Sequence, residues 1–199
     1  MPLPVVYQNQ FNSVYIRGYC LPSVIPGNED DYGLSTQEHA TLSAITSPTM
    51  HHQKTWSFIL TRMVLGEILR QDPKTFDIDR AGKPTVSPAA QPTVYFNVSH
   101  SANLWIIAWS FDQEVGIDVQ KIDESIHHNA IMRQFFTTSE RAQVNTVFDF
   151  FDIWTQKEAT LKLHGLSFAH MQKISTNNAT LIPLEITPDF KAHLAVETR

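Results

Sequence analysis

Extended, helical and again extended patterning succeed one another twice along this 199-residue chain, an order that points to a mixed α and β architecture. In the first half, Val5 to Cys20 mixes β-branched and aromatic residues and reads as strand-bearing. A turn-rich acidic loop, LPSVIPGNEDDYG, follows. Ser35 with Glu38 three residues on forms a capping box for a short helix through Ala44, closed by Pro48. From about His51 to Arg70, Trp56, Ile59, Leu60 and Met63 recur at spacings of three and four, as a half-buried helix requires. Short extended pieces then flank the Gly82-Lys83-Pro84 turn, Pro88 and Pro92 hold a loop, and YFNVSHSANLWIIAWSF reads as two strands joined at Ser-His-Ser.

The second half starts with the strand VGIDVQKI and continues with helical material from near Ile126 through Glu140. A stronger helix runs from about Phe148 to His164, with Gly165 as its stop. MQKIST, ATLIPLEI and FKAHLAVET are strand-like. The predicted fold class is α+β. The recurrence admits two accounts: a duplication whose halves, residues 1–112 and 113–199, meet near Asp112 to Val115, or the alternation common to α+β proteins of this length.

Composition excludes several functions. Fifteen basic against twenty acidic residues, a formal charge of −5, and no basic run argue against a nucleic-acid partner. No window approaches the apolar length that spans a bilayer, and the first residues carry no signal-peptide pattern. The single Cys20 leaves no intrachain disulfide and no cysteine-based zinc site, and a cytoplasmic location is expected.

Three segments carry polar chemistry on apolar frames. In VGIDVQ, Ile117 and Val119 share one strand face while Asp118 and Gln120 share the other, so an apolar pair can enter the core and present a carboxylate and an amide together. Gly116 would allow a close backbone approach. An edge strand with its polar face in water satisfies the same pattern. In WTQKEATLK, about 100° per residue puts Glu158 at the margin of the stripe containing Trp154 and Leu161, with Lys162 one turn further along. That pair suits a magnesium–phosphate site, or a simple surface pair. In FNVSHS, Ser99 and His100 can donate to a phosphate or merely cap a turn.

Together, Gly82-Lys83-Pro84, Phe96-Asn97-Val98-Ser99-His100-Ser101, Val115-Gly116-Ile117-Asp118 and Trp154-Thr155-Gln156-Lys157-Glu158-Ala159 with Lys162 resemble the motifs of the Sfp-type 4′-phosphopantetheinyl transferases, in order and spacing. Trp before Lys-Glu-Ala is similar to the branch named for that combination. The helix around Arg62 and Leu69 extends the likeness, which is weakest in the first thirty residues. The resemblance implies a pseudo-twofold pair of α+β halves with coenzyme A between them, acting as a monomer on an apo carrier protein. It implies Asp118, Glu158 and, more weakly, Gln120 as magnesium ligands, Lys162 on the phosphates, Ser99, His100 and Lys83 as coenzyme A phosphate contacts, and Pro84 near the nucleotide. A carrier serine would attack the β-phosphate, 3′,5′-adenosine bisphosphate would leave, and Glu158 or a water on the magnesium would take the serine proton.

Two departures stand out. Gln120 replaces a third acid found in many members, so a two-carboxylate site with a higher magnesium requirement is expected. TSPTMHHQKTW lacks the usual basic clamp for the 3′-phosphate, and His51, His52 and Lys54 are the available substitutes. A relative that binds carrier or coenzyme A without catalysis, or a different magnesium phosphotransferase, would share most of these features. Met132, Phe135 and Phe136 are candidates for a carrier-facing patch or for core packing.

Overall fold

The computed structural model describes residues 3–25, 29–80, 82–87 and 92–198, so Pro26, Gly27 and Asn28 of the acidic loop and Pro88 of the later loop lie outside the described residues. The first strand-bearing segment is a hairpin: Val5–Phe11 (β1) and Val14–Cys20 (β2) pair antiparallel, and Asn12 takes the left-handed conformation (φ 52°) that turns the chain.

The capping box forms as expected. Glu38 N–H donates to Ser35 Oγ at 3.2 Å and Glu38 Oε2 accepts from Ser35 N–H at 2.9 Å, opening Thr36–Ser43 (α1). Pro48 does not close this helix; it opens Pro48–Leu69 (α2), with Ser47 as N-cap. At a helix's first position the missing N–H would have had no partner anyway. Glu38 also turns inward. Its Oε2 accepts from Arg62 Nε at 2.7 Å and its Oε1 from Arg80 at 2.9 Å, while Arg62 also reaches Asp77 and the carbonyls of Pro73 and Phe76. Such matching of donors and acceptors is what makes a buried charge pair tolerable.

Asp77–Asp79 (β3) and Thr85–Ser87 (β4) form a small ribbon. Tyr95–Ser101 (β5) and Leu104–Ser110 (β6) follow, and their turn is at Ala102 (φ 51°), so Ser99, His100 and Ser101 lie inside β5 and not in the turn. The main sheet has the order β1-β2-β6-β5. Both faces of β6 are covered, because its side chains alternate between two apolar layers. Trp105, Ile107 and Trp109 pack with Trp56, Ile59 and Leu60 of α2. Leu104, Ile106 and Ala108 join Val115, Ile117 and Val119 of Val115–Lys121 (β7).

β7 begins the second half and edges a three-stranded sheet. His128–Phe135 (α3) and Thr138–Gln143 (α4) lead to Val147–Leu163 (α5). Fully buried Lys157 ties α5 to α4 through both oxygens of Glu140, at 2.8 and 2.9 Å. Gly165 (φ 62°) ends α5 as the sequence predicts. MQKIST is not a strand: it forms turns from which Met171 and Ile174 reach Leu161. Ala179–Pro183 (β8) and Phe190–Glu197 (β9) complete the sheet order β7-β9-β8. Where β7 meets α5 only glycine fits, since a Cβ on Gly116 would lie 2.1 Å from the Ala159 carbonyl oxygen and 2.4 Å from the Leu163 nitrogen.

β5 and β7 are joined by side chains instead of a backbone ladder. Asn97 Oδ1 accepts from Ile117 N–H at 3.2 Å, Ser99 Oγ from Val119 N–H at 3.2 Å, and Ser101 Oγ from Lys121 N–H at 3.0 Å. The contacts advance in the same order on both strands, which therefore run parallel. Three β7 amides that need partners find them in this way. Among the described residues no helix is long and apolar enough to cross a membrane.

Candidate active site

The parallel seam delivers the polar face of β7 to a cleft of about 250 Å³ lined by Lys54, Ser57, Arg80, Ser99, His100, Asp118, Gln120, Glu158 and Lys162. The alternation read in VGIDVQ is realised: Ile117 and Val119 enter the core, while Asp118, 1% exposed, faces the cleft with Gln120. Asp118 Oδ1 accepts from Ser99 Oγ at 2.8 Å and from Lys162 Nζ at 2.7 Å, and its Oδ2 accepts from Gln120 Nε2 at 3.2 Å. Lys162 also donates to Ser99 Oγ at 3.1 Å. Among the described residues Lys162 forms its ion pair with Asp118 and not with Glu158, so the simple surface pair is not formed.

Glu158 projects from α5 into the same cleft. Burial, reinforced by the Asp118 charge and opposed by Lys162, pushes its carboxyl up to about 7. Two carboxylates that feel each other's charge, with oxygen ligands only, suit a hard divalent cation better than a soft one. Gln120 presents its amide nitrogen to Asp118 while its oxygen accepts from Ser101 at 3.4 Å, so it must turn over to offer an oxygen to a cation. No cluster of three or more His, Cys, Asp or Glu side chains stands ready for a metal among the described residues.

Opposite the acids is a group of cations. Lys54 and Arg80 both lie over the ring of Phe58, at 5.0 and 4.6 Å from its centroid. Burial lowers Lys54, with Arg80 adding to the effect, and burial lowers Arg80 despite its bond to Glu38. Burial followed by the charges of Lys54 and Lys162 also lowers His100. The Arg80 Nε is buried without a hydrogen-bond partner. Cations held together and desolvated in this way favour an anion. Sequence reading missed Arg80 and Ser57; a lone arginine in a short extended piece gives no periodic signal.

Other predicted residues are placed elsewhere. Lys83 donates to the Leu163 carbonyl at 2.7 Å and pairs with Glu114, which puts a cation on the C-terminal end of α5. Lys83 and Pro84 line a separate pocket with Val94 and Tyr95. His51 and His52 do not line the cleft, whereas Lys54 does. Met132 and Phe136 are buried in the core, and Phe135 is half-buried with its ring 4.7 Å from that of exposed Phe168.

Residues 114–197 match the model of the 4′-phosphopantetheinyl transferase superfamily. The chain is similar to the 4′-phosphopantetheinyl transferase HetI of Nostoc sp., 29% identical over 150 residues, which cover 71% of this chain and 63% of HetI. It is similar to the 4′-phosphopantetheinyl transferase psf-1 of Bacillus pumilus, 29% identical over 154 residues, 70% of this chain and 62% of psf-1. Over a shorter stretch of 78 residues it is 36% identical to the 4′-phosphopantetheinyl transferase gsp of Aneurinibacillus migulanus, 36% of this chain and 32% of gsp. The chain thus spans less than two thirds of the length of these relatives. The family match covers β7, which carries Asp118, and α5, which carries Glu158 and Lys162. From residue 114 to residue 197 the chain is therefore similar to the 4′-phosphopantetheinyl transferase superfamily.

Proposed function

We propose that the protein transfers 4′-phosphopantetheine from coenzyme A to a serine of an apo carrier protein and releases 3′,5′-adenosine bisphosphate. The observation that carries this reading is the cleft in which Asp118, Glu158 and Lys162 face Lys54, Arg80 and His100. Acids that can hold a cation and cations that can hold phosphates are what a diphosphate ester requires from its two sides.

In this reading the halves, residues 1–112 and 113–199, form a pseudo-twofold pair meeting at the β5–β7 seam, each with one long helix against its sheet. The protein is a cytoplasmic monomer of the branch named for Trp before Lys-Glu-Ala, and partners a carrier protein. Asp118 and Glu158, with Gln120 turned over, would hold magnesium, which would supply neutralising charge to the diphosphate. Lys162 leaves Asp118 for the phosphate oxygens. The carrier serine Oγ forms a bond to the β-phosphorus as the bridging P–O bond breaks, and the bisphosphate takes the bridging oxygen away. Glu158, which faces the cleft beside Asp118 and Lys162, is the candidate acceptor of the serine proton. Lys83 serves by anchoring the end of α5. Incubation with coenzyme A, magnesium and an apo carrier should add the mass of one phosphopantetheine to the carrier, and Asp118→Ala should abolish the gain. No gain with any carrier from the host would refute the reading.

We assign Arg80 and Lys54 to the 3′-phosphate, whose oxygens would satisfy the orphaned Arg80 Nε. Charge-assisted hydrogen bonds of this kind correspond to roughly a 10- to 100-fold change. Arg80→Gln should therefore raise KM for coenzyme A by about tenfold or more. It should leave KM for dephospho-coenzyme A nearly unchanged. Equal effects on both substrates would remove Arg80 from that role.

A further inference from the structure

The Ser99 hydroxyl has no hydrogen left to give a phosphate. A serine Oγ offers one donor and two acceptor positions. Its hydrogen goes to Asp118 Oδ1 at 2.8 Å, because an ionised carboxylate can only accept. Its lone pairs receive Val119 N–H at 3.2 Å and Lys162 Nζ at 3.1 Å. When Lys162 moves to substrate an acceptor position is released, but phosphate oxygens need a donor. Ser99 is moreover buried within β5, its Oγ directed at β7.

We propose that Ser99 is a positioning residue. It fixes the Asp118 carboxylate to the β5–β7 seam and aims it at the cation, and it does not ligate coenzyme A. This rests on the proposed role of Asp118 as a metal ligand. The phosphate contacts from this side of the cleft then come from His100, Lys54 and Arg80. One hydroxyl joins the halves at Val119 and orients the acid at the next residue back, so seam and metal site are set by the same atom.

The test separates the two roles by measuring phosphate and metal binding independently. Titration calorimetry with 3′,5′-adenosine bisphosphate in chelator reads phosphate binding without metal, and manganese paramagnetic resonance reads the cation. Partners that orient metal ligands typically contribute about 10- to 100-fold to metal affinity. Ser99→Ala should keep metal-free bisphosphate affinity within about twofold of the parent and weaken manganese binding by about tenfold or more. Ser99→Thr, which retains the hydroxyl, should restore manganese binding. His100→Ala should do the reverse of Ser99→Ala, losing bisphosphate and keeping manganese. If the alanine variant does not fold, near-isosteric Ser99→Cys carries the same expectation, because a thiol is a weak donor. Loss of metal-free bisphosphate binding in the Ser99 variant, or unchanged manganese binding, overturns the proposal. A parent protein that binds neither bisphosphate nor manganese and loads no carrier would instead condemn the function proposed above.

Discussion

Gly116→Ala is expected to destabilise the protein by about 4 kcal/mol or more, a magnitude confined to a few severe mechanisms. Ordinary overpacking costs about 1–3 kcal/mol because flexible side chains absorb it. Here the added methyl would meet backbone only: the Ala159 oxygen at 2.1 Å, the Leu163 nitrogen at 2.4 Å and the Leu163 Cα at 2.9 Å. Either β7 or α5 has to move. Asp118 is two residues from the clash on β7, and Glu158 and Lys162 adjoin its contact points on α5. Stability and activity should therefore fall together. The thermal midpoint should drop by about 8–16 °C, at the 2–4 °C per kcal/mol typical of chains this size. A variant melting within about 2 °C of the parent would show that the strand and helix are not in backbone contact.

Under the proposed function, Glu158→Gln is expected to lower phosphopantetheine transfer by about a hundredfold or more, the scale on which positioned acid–base groups act, yet stabilise the metal-free protein at alkaline pH. The carboxyl is pushed up to about 7 in the folded chain, against an ordinary value of 4.5. Between those values the native state retains a proton that the unfolded chain releases. Stability consequently falls as pH rises from about 4.5 to about 7, and the whole penalty remains above that window. It amounts to about 3 kcal/mol. In chelator, the parent should lose stability between pH 5 and pH 8 relative to the glutamine variant, as read from denaturation midpoints. Magnesium with coenzyme A should restore it only in the parent. A variant no more stable than the parent at pH 8 would contradict the burial of an ionised Glu158.

Local periodicity made much of the site readable. The alternation of Ile117 and Val119 with Asp118 and Gln120, the glycine before them, and the turn relating Glu158 to Lys162 each depend on a few consecutive residues. Other features depended on distant partners. Ser99 and Ser101 look like part of a turn because the β7 amides that their hydroxyls serve lie about twenty residues on. Pro48 breaks or begins a helix according to which side is inspected, and Ser47 decided it. Arg80 acquires meaning only once the small ribbon packs on α2 and meets Glu38 and Phe58. MQKIST reads as strand-like, but its two apolar residues, Met171 and Ile174, are three apart and pack with Leu161.

A hydrogen-bonded ladder fixes the gap between neighbouring strands at a constant of peptide geometry, about 4.8 Å. Between β5 and β7 that constant does not apply, since the gap is bridged by an amide and two hydroxyls. Lengthening or shortening Asn97, the tooth that bonds neither Asp118 nor Gln120, would widen, narrow or tilt the mouth between the cation-bearing and acid-bearing walls while leaving both walls intact. The aperture of the cleft is thus a trait that a single codon change can tune, much as a shim adjusts a vice.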